Sequence, residues 1–402
     1  MKKKYIFIII GIVFLLVLLL VGMRFIRRGY YFGQRFPRWQ QWREQREKSA
    51  PFSRESLPLL DTQGKNPLVR RIKTLTNQGG RLDWSPKGDL IAFDRLGEDS
   101  YYDIWLMKLD GSGQKCLTCN NSQLPQKHNG QPAWHPSGDY LVFQAQDPNL
   151  KGLPLILKRA EKKLTGPGIG INNNLWLMDK NGTQFWQLTK IESMMGLLHP
   201  HFSYDGKKLL WSERVSGEPK PSGQWVIKIA DFVLEKNQPQ IKNTKEYQPQ
   251  NMPFYEVHGF TPDNQKIIFS ATPDGQYQHL DIFIFNLETA ELKQLTGPYE
   301  EWDEHAQLSP DGQKIVWMSS RGILQNIKQN QVITDYWIMN IDGTNKQRLT
   351  YFNDSAAPEY LKGGIAAADS SWSPEGNKLA ALLLNPQTQE GPIVLIELSE
   401  TR

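Results

Sequence analysis

A four-residue turn that recurs six times constrains the fold of this 402-residue chain more than any other feature. The copies read Ser85-Pro86-Lys87-Gly88, His135-Pro136-Ser137-Gly138, Ser203-Tyr204-Asp205-Gly206, Thr261-Pro262-Asp263-Asn264, Ser309-Pro310-Asp311-Gly312 and Ser373-Pro374-Glu375-Gly376. They begin 50, 68, 58, 48 and 64 residues apart, each after an apolar or aromatic residue and each before a short hydrophobic run. Pro presets φ at the second position, and Gly takes the position where a side chain would strain. Self-similarity at this period signals repeated units that bury their apolar faces against one another.

Each unit reads as four strands. The first is short and ends in the aromatic or apolar residue before the turn, as in Pro132-Ala133-Trp134. The second is an unbroken apolar run, such as Leu90-Ile91-Ala92-Phe93 or Lys314-Ile315-Val316-Trp317, which implies burial on both faces. The third, for example Asp103-Ile104-Trp105-Leu106-Met107, leads into Asp110-Gly111, Asn181-Gly182 or Asp342-Gly343, pairs in which both positions tolerate positive φ. The fourth closes on Leu117-Thr118, Leu188-Thr189, Leu295-Thr296 or Leu349-Thr350. The sixth unit has a third strand, Ile393–Ile396, and no fourth. The missing strand stands before the first unit, where Leu68–Thr76 ends in the same Leu-Thr. The expected fold is therefore all-β, a six-bladed propeller whose ring is closed by an N-terminal strand, with few open sheet edges.

The Ser-Pro-Asp-Gly turn, the Ile-Trp-Leu-Met strand, the Asp-Gly-Ser/Thr turn and the closing Leu-Thr resemble the TolB-type, WD40-like propeller repeat over about residues 67–402. Proteins of this kind include a periplasmic partner of a peptidoglycan-associated lipoprotein, propeller gates of serine oligopeptidases and metal-dependent oligogalacturonate lyases. The resemblance implies the fold and leaves the activity open. The chain departs from TolB itself in carrying an apolar anchor sequence where that protein has a cleaved signal and a small α/β domain.

That anchor is Tyr5–Met23, nineteen uncharged residues. As a helix it spans roughly 28 Å, close to the hydrocarbon thickness of a bilayer. Lys2, Lys3 and Lys4 flank one end, and Arg24, Arg27 and Arg28 the other. No small-residue cleavage site comes after it, so residues 1–28 are expected to be an uncleaved transmembrane anchor. Residues 29–66 read as a juxtamembrane linker, with aromatic rings and arginines interleaved as suits the headgroup region. Residues 67–402 are the expected propeller. An N-terminal anchor of this kind exports the domain attached to it, which places the propeller in the periplasm or otherwise outside the cytoplasm. Residues 1–66 carry a net +9 of the whole-chain +5, which leaves −4 for the rest. The basic balance thus belongs to the N-terminus and gives no nucleic-acid-binding stripe on the folded domain.

Strand alternation places the blade-to-blade connections and the second-to-third-strand connections on one face of the disc. Insertions near Asp147–Asn173, Glu213–Gly223 and Arg321–Thr334, and the connection Tyr351–Ser371, enlarge that face. Leu153–Leu164 within the first of them could form a short basic amphipathic helix. Four residues before each turn stand Arg81, Gln131, His199, Val257, His305 and Asp369, with His258 beside Val257 and with Glu256, Asp303 and Glu304 close by. These positions open onto the central channel. Imidazole and carboxylate there suit a divalent transition metal, and His199, His258, His305 and Gln131 form the candidate ligand set. His135 and His201 fall inside the repeat pattern and read as structural. Cys116 and Cys119 would sit about 10 Å apart in an extended strand, too far for a disulfide, unless a turn after Thr118 joins them. Plain packing is the expectation. No Gly-x-Ser-x-Gly nucleophile elbow and no phosphate-binding Gly-rich loop occur. Together these features suggest a membrane-anchored binding or scaffolding module of the cell envelope that recognises a protein, peptide or saccharide on its insertion-bearing face. The alternative is a metal-dependent propeller enzyme, like the oligogalacturonate lyases, or a carbohydrate-binding protein using the channel histidines.

Overall fold

All six turn motifs close as their chemistry requires. The amide at the fourth position donates to the first residue's carbonyl oxygen at 2.8–2.9 Å in every copy. That fourth residue is left-handed each time, from φ 59° at Asn264 to φ 77° at Gly88. Asn264 fits because Asn tolerates this region better than other side-chain-bearing residues. In three copies the Ser or Thr hydroxyl also donates to the Asp two residues on and accepts the amide of Lys208, Lys266 or Lys314. The turns between third and fourth strands differ from expectation. In Asp110-Gly111 and Asp342-Gly343 only the Gly is left-handed. The Asp stays in the ordinary region, where its carboxylate accepts the amide of Ser112 or Thr344.

The structure is a computed structural model that describes residues 57–399 apart from 154, 218–222, 237, 274, 276–278, 298–300, 324–331 and 387–389. It contains six antiparallel sheets. Blade one is Leu82–Trp84, Leu90–Leu96, Tyr102–Lys108 and Lys115–Cys116. Blade two is Asn129–Trp134, Tyr140–Gln146, Asn173–Asp179 and Phe185–Gln187. Blade three, with the longest third strand, is Gly196–Phe202, Lys208–Ser216, Gln224–Glu235 and Gln238–Tyr247. Blade four is Tyr255–Phe260, Lys266–Ala271, Asp281–Asn286 and Leu292–Gln294, and blade five is Asp303–Leu308, Lys314–Ser319, Asp335–Asn340 and Gln347–Arg348. Blade six is Ala366–Trp372, Lys378–Leu384 and Gly391–Leu398, completed by Val69–Gly79. The ring therefore closes through the N-terminal strand, with Ile72 opposite Ile396 and Thr74 opposite Val394. Asp61–Thr62, within the expected linker, adds a short fifth strand outside it. The expected span Tyr5–Met23 and the aromatic–arginine stretch after it lie outside the described residues. Among the described residues no helix is long and apolar enough to cross a membrane.

The apolar second strands are buried on both faces because each blade packs on the next. Ala92, Ile104 and Leu106 of blade one meet Trp134, Leu141 and Phe143 of blade two, and Ile268, Ile282 and Ile284 of blade four meet Ala306, Ile315 and Trp317 of blade five. Each fully buried Ile, Leu or Phe contributes about 1.5–3 kcal/mol.

The closing Leu-Thr has a specific task. The Thr hydroxyl accepts a third-strand amide, Ile104 N at 2.9 Å for Thr118, Leu175 N at 2.8 Å for Thr189, Ile282 N at 2.9 Å for Thr296 and Tyr336 N at 3.0 Å for Thr350. It donates to the residue before that amide: Asp103, Asn174, Asp281 or Asp335. This clamp pins the outer strand where its ladder has ended. Within it, Cys116 and Cys119 form a disulfide, with Cα atoms 5.8 Å apart. Plain packing is thus corrected: the strand ends at Cys116, and the turn through Thr118 brings Cys119 back.

Replacing Thr296 by Val keeps the shape and leaves the Ile282 amide and the Asp281 carboxylate without this partner. Chemical denaturation is expected to show a loss of about 1–3 kcal/mol. Deleting residues 67–76 opens blade six to its third strand. The product is expected to be insoluble, and a soluble, cooperatively melting deletion variant would refute the closure.

Candidate metal centre in the propeller channel

The innermost strands carry the site, and a repeated irregularity aims it. The first strands of blades two to six each contain a register shift, at Gly130/Ala133, Leu198/His201, Val257/Gly259, Glu304/Gln307 and Ala367/Ser370. Each is a β-bulge, which inserts one residue and turns its side chain out of the ladder. The inserted positions hold Gln131, His199, His258, His305 and Asp369, all facing the channel. Gln131, His199 and His305 accept left-handed backbone, with φ 49°, 51° and 52°, an unusual conformation for a residue with a Cβ. Polar residues of the second strands hold the bulges. Asp94 accepts the Gln131 amide at 3.0 Å, Gln144 donates to the Leu197 carbonyl at 2.8 Å, and Ser212 accepts the Val257 amide at 3.0 Å. Each of these bonds reaches the next blade.

Three blades bring imidazoles and a carboxylate together. One ligand-competent atom from each of His199, Glu256, His258 and His305 lies within 4.8 Å of all the others. Glu256 Oε1 is 3.0 Å from His199 Nε2 and 3.5 Å from His305 Nδ1. His305 Nδ1 is also 3.3 Å from Asp369 Oδ1. His258 contacts Ser270 Oγ through Nε2 at 2.7 Å, while its buried Nδ1 has no hydrogen-bond partner. The buried Glu256 Oε1 has none either.

Gln131 has a different place from that expected of a ligand. Its Oε1 accepts the His199 amide at 2.9 Å and also the Gln144 side chain, which directs its NH2 to His199 Nε2 at 3.0 Å. That nitrogen is then an acceptor, and it sits against a carboxylate oxygen that is also an acceptor. Its single lone pair serves one contact at a time: His199 Nε2 either accepts from the Gln131 amide or, released from it, ligates a cation shared with Glu256 Oε1. The candidate ligand set becomes His199, His258, His305 and Glu256, with Gln131 orienting His199. Glu256 is absent from the ligand set expected from sequence. Its one local signal is a carboxylate two residues before His258.

Charge is concentrated here. Burial pushes the Glu256 carboxyl up, but the neighbouring His199, His305 and His258 outweigh it and hold the group well below the usual range. Burial and the Glu256 charge push Glu304 up to about 8. Burial opposes the charge on His305, and Asp369, Glu304 and Glu256 overcome it, so this imidazole is pushed up to about 10. Burial holds His258 well below its ordinary value, leaving it neutral and ready to ligate. His201 also borders the channel, in a cavity of about 30 Å³ lined by Arg81, Gln131, His199, Asp369 and others. Its buried Nε2 has no partner, so it is less plainly structural than its repeat position suggested. His135 does bridge blades, with Nε2 3.1 Å from the Gly206 carbonyl oxygen.

The blade-two insertion reaches this cavity. A Cβ at Gly168 would lie 2.0 Å from Arg81 Nη2, and one at Gly130 would lie 2.3 Å from Pro167 Cγ. Its basic segment is a 3₁₀ turn, Leu155–Ala160, followed by one α turn, Glu161–Leu164. Lys162 from it donates to the Asp99 carbonyl at 2.6 Å and covers the Tyr101 ring at 4.1 Å.

These shifts set the pH dependence of the metal-free protein. His305 is raised, so its contribution is complete below the unfolded value near 6.5 and is lost as pH rises through about 10. Glu304, also raised, loses its contribution as pH rises from the ordinary carboxylate range through about 8. Melting temperatures after chelation are expected to fall across this alkaline window. His305→Gln is expected to melt lower at neutral pH and to lack the His305 part of that decline.

No protein-family model matches the chain. Dipeptidyl-peptidase 5 of Porphyromonas gingivalis is 24% identical over 233 residues, 54% of this chain. The chain spans about a third of that relative's length, 33%. Among solved structures, an oligogalacturonate lyase from Vibrio parahaemolyticus superposes with a TM-score of 0.50 at 13% identity, covering 86% of this chain and 98% of that one. A gluconolactonase from Xanthomonas campestris gives 0.50 at 12%, covering 86% and 99%. TolB from Acinetobacter baumannii gives 0.48 at 17%, covering 83% and 66%. At these identities the likeness is one of fold: the chain is a six-bladed β-propeller.

Proposed function

We propose that this propeller holds a divalent transition-metal ion at its channel mouth, on His199, His258, His305 and Glu256, and presents it to a ligand on the insertion-bearing face. The observation that carries this reading is the pair of buried, unpartnered acceptors, Glu256 Oε1 and His258 Nδ1, inside a four-residue cluster drawn from three blades. Leaving such atoms unsatisfied in the interior costs several kcal/mol at most sites, and a metal removes the cost. A bound ion of this class supplies a Lewis acid for a ligand oxygen. Three imidazoles and one carboxylate favour zinc, manganese, iron or nickel over calcium or magnesium, which prefer all-oxygen sites.

The ligand is a protein, peptide or saccharide of the cell envelope, bound where the blade-two insertion meets Arg81 and Gly130. The apolar run Tyr5–Met23 supports an anchor that keeps the propeller at a membrane, on the periplasmic or other extracytoplasmic side. Turnover of a saccharide by the metal, which would make the protein an enzyme, is the second reading. It is supported by the placement of the cluster at the channel mouth and by the fold shared with a lyase of oligogalacturonate.

Metal analysis of the purified chain tests the first reading. About one equivalent of a transition metal is expected in the wild type and none in a variant with His199, His258 and His305 all replaced by Ala. Glu256→Gln is expected to bind more weakly, by about tenfold or more. A wild type that takes up no metal on dialysis against zinc, manganese, iron and nickel would overturn the proposal.

A further inference from the structure

Four blades carry the threonine clamp, and only blade one flanks it with cysteines. Cys116-Leu117-Thr118-Cys119 stands where blades two, four and five have Gln187-Leu188-Thr189-Lys190, Gln294-Leu295-Thr296-Gly297 and Arg348-Leu349-Thr350-Tyr351. The clamp is equally short without the disulfide, since the amide-to-hydroxyl distance is 2.9 Å in blade one and 2.8, 2.9 and 3.0 Å in the others. Holding the clamp is therefore not what the disulfide is for. Its sequence separation of 3 also closes one of the shortest possible loops, which restricts the unfolded chain least.

The surroundings of the sulfurs differ from those of a mere staple. In blades four and five the residue at the Cys116 position donates to the clamp carboxylate, Gln294 to Asp281 at 2.8 Å and Arg348 to Asp335 at 2.6 Å. In blade one that position is sulfur, and a carboxylate oxygen of Asp103 lies within 4.8 Å of both Sγ atoms. The oxidised sulfur has no proton to give this carboxylate, and the reduced thiol does. Burial raises the Asp103 pKa, and the Asp99 charge adds to it against the Thr118 and Asn129 hydrogen bonds. The amide of Cys119 points at Cys116 Sγ from 3.0 Å, a donor placed to stabilise a thiolate there. Both cysteines are only partly buried, between the exposed Lys115 and Asn120.

We propose that Cys116 and Cys119 are a redox-active pair that exchanges its disulfide with an external dithiol. One thiolate of the dithiol attacks Cys119 Sγ. The S–S bond breaks and its electron pair leaves on Cys116 Sγ, a thiolate facing the Cys119 amide. The second thiolate of the dithiol then attacks its own sulfur in the mixed disulfide, closing the external disulfide and releasing Cys119 Sγ, which is protonated from water. Two electrons pass from the dithiol to the cysteines, and one S–S bond is lost while one is made. The activity is independent of the channel metal.

The test is reduction of the folded, chelator-treated full chain by dithiothreitol and, in parallel, by reduced thioredoxin at equal dithiol concentration. Iodoacetamide trapping and mass analysis provide the readout. Reduction is expected without unfolding, with Cys116 alkylated well before Cys119 at pH 7. Faster reduction by thioredoxin assigns a protein dithiol as the partner, and equal rates assign a small molecule. A disulfide that opens only in urea would overturn the proposal, as would equal alkylation of the two cysteines.

Discussion

The antiparallel pairing of Val69–Gly79 with Gly391–Leu398 is the contact on which the remainder depends. It joins segments more than 300 residues apart in the chain and converts a row of blades into a ring. Only in a ring do six innermost strands converge on one axis. Without convergence, Gln131, His199, Glu256, His258, His305 and Asp369 would be scattered polar residues at the starts of separate strands. The entropic cost of closing so long a loop grows only slowly with length, and a full strand of paired backbone with Val69, Ile72, Val394 and Ile396 buried offsets it.

Within the ring, two small devices divide the work. The threonine clamps fix the outer strands of blades one, two, four and five and are nearly identical in all four. The bulges fix the inner strands and carry the variation, since the inserted residue is Gln, His, His, His or Asp according to the blade. A bulge three or four residues before the turn recurs in five blades, and in three of them it holds the inserted side chain on left-handed backbone. It also explains how a sheet otherwise buried on both faces can present polar groups without disturbing its core. The second-strand residues Asp94, Gln144 and Ser212 tie the bulges of blades two, three and four to the neighbouring blade, so the site is held by the packing of the disc.

The electrostatics of the channel arise from that convergence. Carboxylates that would be ordinary on a surface are pressed together beside imidazoles, so His305 is held as a cation by Asp369, Glu304 and Glu256. His258, with a serine on one nitrogen and nothing on the other, stays neutral. Such a mixture of charged and neutral imidazoles around one buried carboxylate is a state that a divalent cation simplifies.

The architecture is legible in the sequence because it rests on local chemistry. The Pro and Gly of the turns, the unbroken apolar runs and the closing Leu-Thr each state a backbone requirement within a few residues, and the absent fourth strand of blade six announces the closure. The candidate histidines are legible as positions four before each turn, or beside one. What only the tertiary structure decides is which atoms meet. The bulges leave no local sequence mark, so nothing near Gln131 tells that its carbonyl oxygen is spent on His199 and Gln144, or that Glu256 stands among three imidazoles. The disulfide contradicts the expectation of plain packing for the same reason. An extended strand separates Cys116 from Cys119, and it is the end of the ladder, imposed by the neighbouring strands, that lets the turn bring them together.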